Sequence, residues 1–231
     1  MNGLIKEVYN AEQGVLIPGS GTFGMEAVAR EFGANQRCMI VRNGLFSFRW
    51  TQIFESCGIL DVARTQVQPA TPVEEGANPG YGPPKLETLK AQIAEFKPKV
   101  VFAPHVETSA GMIIPDAYIA ELAAAVHAVG GILVLDCIAS GCIWVDMKAL
   151  GVDVLISAPQ KGWSGPACMA MVALGQGALD RMGESEADPS GTFALSLRKW
   201  KGIMDTYDKD SLYIQCSEIC TLRNENFHTE T

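Results

Sequence analysis

The chain has 231 residues, 48% of them hydrophobic and 19% charged, enough for one sizeable core and near the upper end for a single domain. Its formal net charge is −8, and its 18 Lys and Arg form no dense basic run. That balance argues against a nucleic-acid groove and leaves room for one small anionic ligand.

In chain order, short β-type runs alternate with helical periodicity. Strands are expected at residues 14–18, 37–41, 99–103, 132–135, 152–156 and 168–173, and helices at 25–32, 46–57, 85–96 and 116–129. Alternation of this kind predicts an α/β fold, a mainly parallel sheet covered by helices on both faces. Residues 68–84, rich in Pro, Gly and Glu, read as a long surface loop. A second break falls at 183–191, residues 193–207 have a helical pattern, and the tail from Asp208 has none.

The opening Met1-Asn-Gly-Leu-Ile-Lys-Glu has no signal-peptide pattern, and the longest apolar tract, 131–145, is interrupted by Asp136 and too short to span a membrane. The seven cysteines contain no Cys-x-x-Cys pair and read as buried thiols in a reducing compartment, with no disulfide frame and no metal site. A cytoplasmic protein with no membrane partner is expected.

The most informative segment is Leu155-Ile-Ser-Ala-Pro-Gln-Lys-Gly-Trp163, with Leu133-Val-Leu-Asp-Cys137 upstream. It offers an amine and a carboxylate at the ends of two strand-like runs, where open α/β sheets bind ligands. Pyridoxal phosphate chemistry needs that pair: Lys161 to hold the cofactor aldehyde as a Schiff base, and Asp136 to keep the pyridine nitrogen protonated so that the ring accepts electrons. Taken singly, such a lysine is usually a solvated charge and such an aspartate a cap or turn residue.

The first strand runs into Gly19-Ser-Gly-Thr-Phe-Gly24 and then a helix. A glycine turn at a helix N-terminus lets backbone N–H groups approach a phosphate. The same residues match a dinucleotide fingerprint, so an NADP-binding oxidoreductase is a rival; Arg42 and Asn43 stand near where an NAD enzyme carries an acidic residue. Asn43-Gly-Leu-Phe-Ser-Phe-Arg-Trp50 places aromatics just beyond a strand, where a ring could stack on pyridoxal. In His105-Val-Glu-Thr-Ser-Ala-Gly111, the hydroxyl of Thr108 or Ser109 could meet the cofactor's phenolic oxygen or simply shape a turn.

Together, Gly19-Ser-Gly-Thr22, Asn43-Gly-Leu-Phe46, His105-Val-Glu-Thr-Ser-Ala-Gly111, Leu135-Asp136 and Ser157-Ala-Pro-Gln-Lys161 resemble, in order, the class V aminotransferases among the fold type I pyridoxal-phosphate enzymes. Within that family the chain is most similar to the alanine-glyoxylate and serine-glyoxylate, or serine-pyruvate, group, and the resemblance runs over residues 5–207. It implies that Lys161 carries the cofactor and shuttles a proton, that Asp136 pairs with the pyridinium, and that Phe46 stacks on the ring. It further implies that Ser20, Gly21, Thr22 and Gln160 hold the phosphate, and that Thr108 lies near the phenolic oxygen. Gln160 distinguishes the chain from cysteine desulfurases, which resemble it but carry His before the lysine.

The implied reaction moves an amino group from a small amino acid, alanine or serine, to a 2-oxo acid, glyoxylate or pyruvate, in a homodimer. The implied domains are a cofactor-binding large domain at 1–190 and, at 191–231, a helix and divergent tail as the remnant of a small C-terminal domain. Relatives have more chain at both ends, so a shortened, weakly active or inactive cofactor-binding form is the alternative. Arg198 and Arg223 are available for a substrate carboxylate without being assigned to it.

Overall fold

Apolar runs that are buried along their whole length demand cover on both faces of a sheet, and the architecture follows from that demand. The computed structural model describes residues 2–59, 64–183 and 187–209. Helix α1 (Asn2–Tyr9) leads into strand β1 (Gln13–Pro18), and α2 (Gly21–Val28) continues through a π-helical turn (Ala29–Gly33) to β2 (Cys38–Arg42). Next come α3 (Leu45–Ser56), β3 (Thr65–Pro69), the short pair β4 (Thr71–Pro72) and β5 (Tyr81–Gly82), α4 (Leu86–Phe96) and β6 (Val100–Pro104). A second short pair, β7 (Val106–Glu107) and β8 (Met112–Ile113), precedes α5 (Asp116–Ala128) and β9 (Ile132–Asp136). The described residues continue with α6 (Met147–Leu150), β10 (Val154–Ser157), β11 (Met169–Leu174), α7 (Gln176–Gly183) and α8 (Leu197–Lys209).

The central sheet has seven strands in the order β1-β11-β10-β9-β6-β2-β3. Neighbours from β10 to β3 are parallel, whereas β11 runs antiparallel to both β10 and β1. Strands β6, β9 and β10 are buried at every residue. One core, with Trp50 and Phe102 at 4.5 Å between ring centroids, joins the sheet to α2, α3, α7 and the start of α8. The other joins the opposite face to α1, α4, α5 and α6. This is the expected α/β fold.

Several boundaries differ from the sequence expectation. The first long helix starts at Gly21, four residues early, because the end of β1 and the Gly19 turn (φ 133°) set its origin rather than the apolar spacing. Strand β3 was not expected: at an edge it pairs only with β2, and its Thr-Gln-Val-Gln-Pro lacks an apolar run. The expected loop 68–84 contains the end of β3 and the β4–β5 ladder. Helix α1, with buried Ile5 and Tyr9, and helix α7 were also not expected.

The cysteines are not all buried thiols as expected. Cys38 and Cys137 are buried, and burial pushes the Cys38 thiol up to about 12, but Cys57 is half-buried and Cys142 and Cys168 are exposed, because these sit at or beyond element ends. Cys216 and Cys220 lie outside the described residues, as does most of the tail from Asp208. Among the described residues no helix is long and apolar enough to cross a membrane.

Candidate active site

The site lies beyond the carboxyl ends of the parallel strands. On β9, Ile132 and Val134 face the α2–α3 layer while Leu133 and Leu135 face the other. The period of two therefore turns Asp136 toward α2 and α3 at the last residue of the strand. Burial pushes its carboxyl up to about 6, against the Ile138 N–H that donates to Oδ1 at 2.9 Å and the positive charge of Arg49.

Lys161 sits in the turn between β10 and β11, and its N–H reaches the Ala158 carbonyl at 3.4 Å. The turn is tight enough that a Cβ on the following residue, Gly162, would lie 1.8 Å from the Gly141 carbonyl oxygen. Glycine is required there by close approach, and the approach fixes the lysine loop against residues 140–142.

At the opposite wall, α2 begins directly after Ser20, whose backbone is extended (φ −147°, ψ 175°), and Ser20 makes no side-chain cap bond. Its carbonyl accepts from Phe23 N–H at 2.9 Å, and Ser20, Gly21 and Thr22 at this N-terminus line the cavity. A Cβ on Gly24 would meet the Ala170 methyl at 2.7 Å, which shows how closely α2 lies on β11.

Helix α3 is anchored by a residue that the sequence reading did not single out. Glu107 is fully buried; Oε1 accepts from Phe46 N–H at 3.1 Å and Ser109 Oγ at 2.6 Å, and Oε2 from Ser47 N–H at 2.9 Å and Ser47 Oγ at 2.7 Å. Burial alone would raise this carboxyl, but the bonds from Ser109, Ser47 and Phe46 outweigh it and hold it below the usual range. An anion at a helix N-terminus also suits the helix dipole. A Cβ on Gly44 would stand 2.4 Å from Ser109 Oγ and 2.8 Å from Glu107 Cδ, so this cap closes only over glycine. The cap sets the first turn of α3 and with it Phe46.

A cavity of about 180 Å³ gathers Ser20, Gly21, Thr22, Phe46, Thr108, Asp136, Gln160 and Lys161, every site residue expected from the sequence. Thr108 is both a turn residue, opening a 3-10 turn, and a wall of the cavity; Ser109 is committed to Glu107 and to Leu45 N–H. Arg49, Val106, Ile138 and Ala139 also line it and were not expected. For Arg49 a signal existed: it lies three residues after Phe46, on the same helix face. Arg198 lines no part of this cavity and pairs with Glu31 at 2.8 Å; Arg223 lies outside the described residues.

The profile of the class-V aminotransferases matches residues 5–200. The chain belongs to that family. It is 29% identical over 185 residues to 2-aminoethylphosphonate–pyruvate transaminase 2 of Paraburkholderia xenovorans, covering 77% of this chain and 45% of the relative. It is also 29% identical over 182 residues to the serine–glyoxylate aminotransferase of Hyphomicrobium methylovorum, covering 76% of this chain and 42% of the relative. Among solved structures, ureidoglycine-glyoxylate aminotransferase from Bacillus subtilis superposes with a TM-score of 0.72 at 21% identity, over 89% of this chain and 49% of that one, a likeness of fold. The chain thus spans less than half the length of these relatives.

Class-V aminotransferases use pyridoxal 5′-phosphate, and the cavity fits that group. Gln160 Oε1 is buried without a hydrogen-bond partner among the described residues. Rotating that amide presents two N–H donors to an anion at the same place. The raised carboxyl of Asp136 is the group that a cationic ring nitrogen would stabilise in its ionised form.

Proposed function

We propose that this chain is the cofactor-binding part of a pyridoxal-phosphate-dependent aminotransferase that moves an amino group from a small amino acid, alanine or serine, to glyoxylate or pyruvate. The observation that carries this reading is the convergence of Lys161, Asp136, Phe46 and the Ser20–Thr22 turn on one cavity. The acceptors are supported by the names of the relatives, which pair serine with glyoxylate and 2-aminoethylphosphonate with pyruvate.

Pyridoxal phosphate, when bound, supplies the electron sink for the pair left at the substrate α-carbon. Lys161 Nζ would hold the cofactor covalently and, once displaced by the amine of the substrate, would take and return the α-proton. The Asp136 carboxylate would supply the opposite charge to the ring nitrogen. Phe46 would pack against the ring. Ser20, Gly21, Thr22 and Gln160 would orient the phosphate through N–H and O–H donors, and Thr108 would bind near the phenolic oxygen. In this reading residues 1–190 form the large domain, and 191–231, a helix and divergent tail, are the remnant of a small C-terminal one, in a homodimer.

Visible absorption of the purified protein with the cofactor, followed by amino donors, tests the reading. A yellow protein is expected, with borohydride fixing the label to a peptide containing Lys161 and with alanine or serine bleaching the colour. A colourless protein in excess cofactor, or label on another lysine, refutes it. Colour unmoved by every amino donor would leave cofactor binding without amino transfer.

A further inference from the structure

Resting on the reading of this cavity as a pyridoxal-phosphate site, we infer that Arg49 is a phosphate-binding residue, the charge that neutralises the cofactor's phosphate and sets the direction of the Thr22 hydroxyl.

Among the described residues lining the cavity, only Arg49 and Lys161 are cationic, and only Asp136 is anionic. Lys161 is committed to the cofactor's aldehyde in the proposed chemistry, so Arg49 is the permanent cation left for the phosphate. An arginine inside a helix is usually spoken for. Arg30 pairs with Glu26 and Arg198 with Glu31, each at 2.8 Å. Arg49 differs: among the described residues its guanidinium donates one hydrogen bond, Nη1 to Thr22 Oγ1 at 3.2 Å, and lies over the Phe46 ring at 5.3 Å to the centroid. With five N–H donors on the group, one bond leaves four for other acceptors, and the Asp136 carboxylate, whose ionised form the Arg49 charge also favours, lines the same cavity.

The bond to Thr22 locates the clamp. Thr22 lies in the first turn of α2, the end whose backbone donors and dipole favour an anion. By accepting from Arg49, the Thr22 oxygen is left to donate its own hydrogen elsewhere, and the open direction is the cavity. Phe46 holds the guanidinium by cation–π contact, so the residue that would cover the ring also orients the cation. Sequence spacing brings Phe46 and Arg49 together on α3, whereas only the packing of α3 beside α2 delivers them to Thr22.

The test is a comparison of pyridoxal 5′-phosphate with pyridoxal, which lacks the phosphate, by absorbance titration of the unmodified protein, Arg49→Gln and Arg49→Lys. Loss of a charge-assisted bond predicts that Arg49→Gln weakens the phosphorylated ligand roughly 10- to 100-fold and leaves pyridoxal within about twofold. Arg49→Lys, which keeps charge without the planar fork, should fall between, and it carries the test if the Gln variant does not fold. Inorganic phosphate should compete with the phosphorylated ligand in the unmodified protein and much less in the variants. Unchanged affinity for pyridoxal 5′-phosphate, or an equal loss for both ligands, overturns the inference. An unmodified protein that captures neither ligand overturns instead the underlying reading of the cavity.

Discussion

Replacing Asp136 by Asn should make the cofactor-free protein more stable at neutral pH while abolishing proton transfer in the cofactor-bound one. The carboxyl is buried and held at about 6 against an ordinary 3.8, chiefly by burial. Ionising it in the folded state therefore costs about 3 kcal/mol relative to the unfolded chain. Because the folded state binds this proton more tightly, stability falls as pH rises from about 4 to about 6 and stays low above that. Below pH 4 the carboxyl is protonated in both states and the penalty vanishes.

The amide that replaces this carboxyl would carry no charge and could still accept the Ile138 N–H. Asp136→Asn should therefore match the parent near pH 4 and exceed it by up to about 3 kcal/mol at pH 7, a large part of the stability of an ordinary domain. Urea unfolding of both cofactor-free proteins between pH 4 and 8 measures the difference, from which the other titrating groups cancel. Added cofactor should reverse the order, since a protonated ring nitrogen would stabilise the carboxylate and not the amide. A variant less stable than the parent at pH 7, or a gap that does not change with pH, would refute the argument. So would an unimpaired half-reaction with an amino donor.

Further outcomes are open to direct measurement. Phe46→Ala should weaken cofactor binding by about 1 kcal/mol, roughly fivefold, through loss of ring packing, with the Lys161 attachment retained in a saturating titration. Glu107→Ala should cost about 3 kcal/mol, read as a shift in denaturant midpoint, because it strands the buried Ser47 N–H and hydroxyl and removes the partner of the half-buried Phe46 N–H, whereas the exposed Ser109 hydroxyl can turn to water. Since Glu107 is held below its ordinary 4.5, the stability it adds is present above that pH and should fade on acidification, a slope that Glu107→Ala should lack.

The strands that the sheet buries on both faces are legible in residue order alone. Val100–Pro104, Ile132–Asp136 and Val154–Ser157 need continuous apolar runs, and those runs are visible without a structure. Equally visible is that Asp136 and Lys161 follow such runs, because the polar break in an apolar stretch marks the strand's carboxyl end. What residue order left undecided depends on partners distant in the chain. Strand β3 exists because β2 offers it one edge, and β1 lies next to β11 although most of the chain separates them; neither pairing leaves a local pattern. Glu107 reads as an ordinary charge until α3 brings Phe46 and Ser47 to it, and Arg49 as a solvated cation until α2 supplies Thr22. Residue type and spacing are local properties, whereas a buried carboxylate or a guanidinium in a cavity wall acquires its role from the groups that tertiary packing places within hydrogen-bond distance.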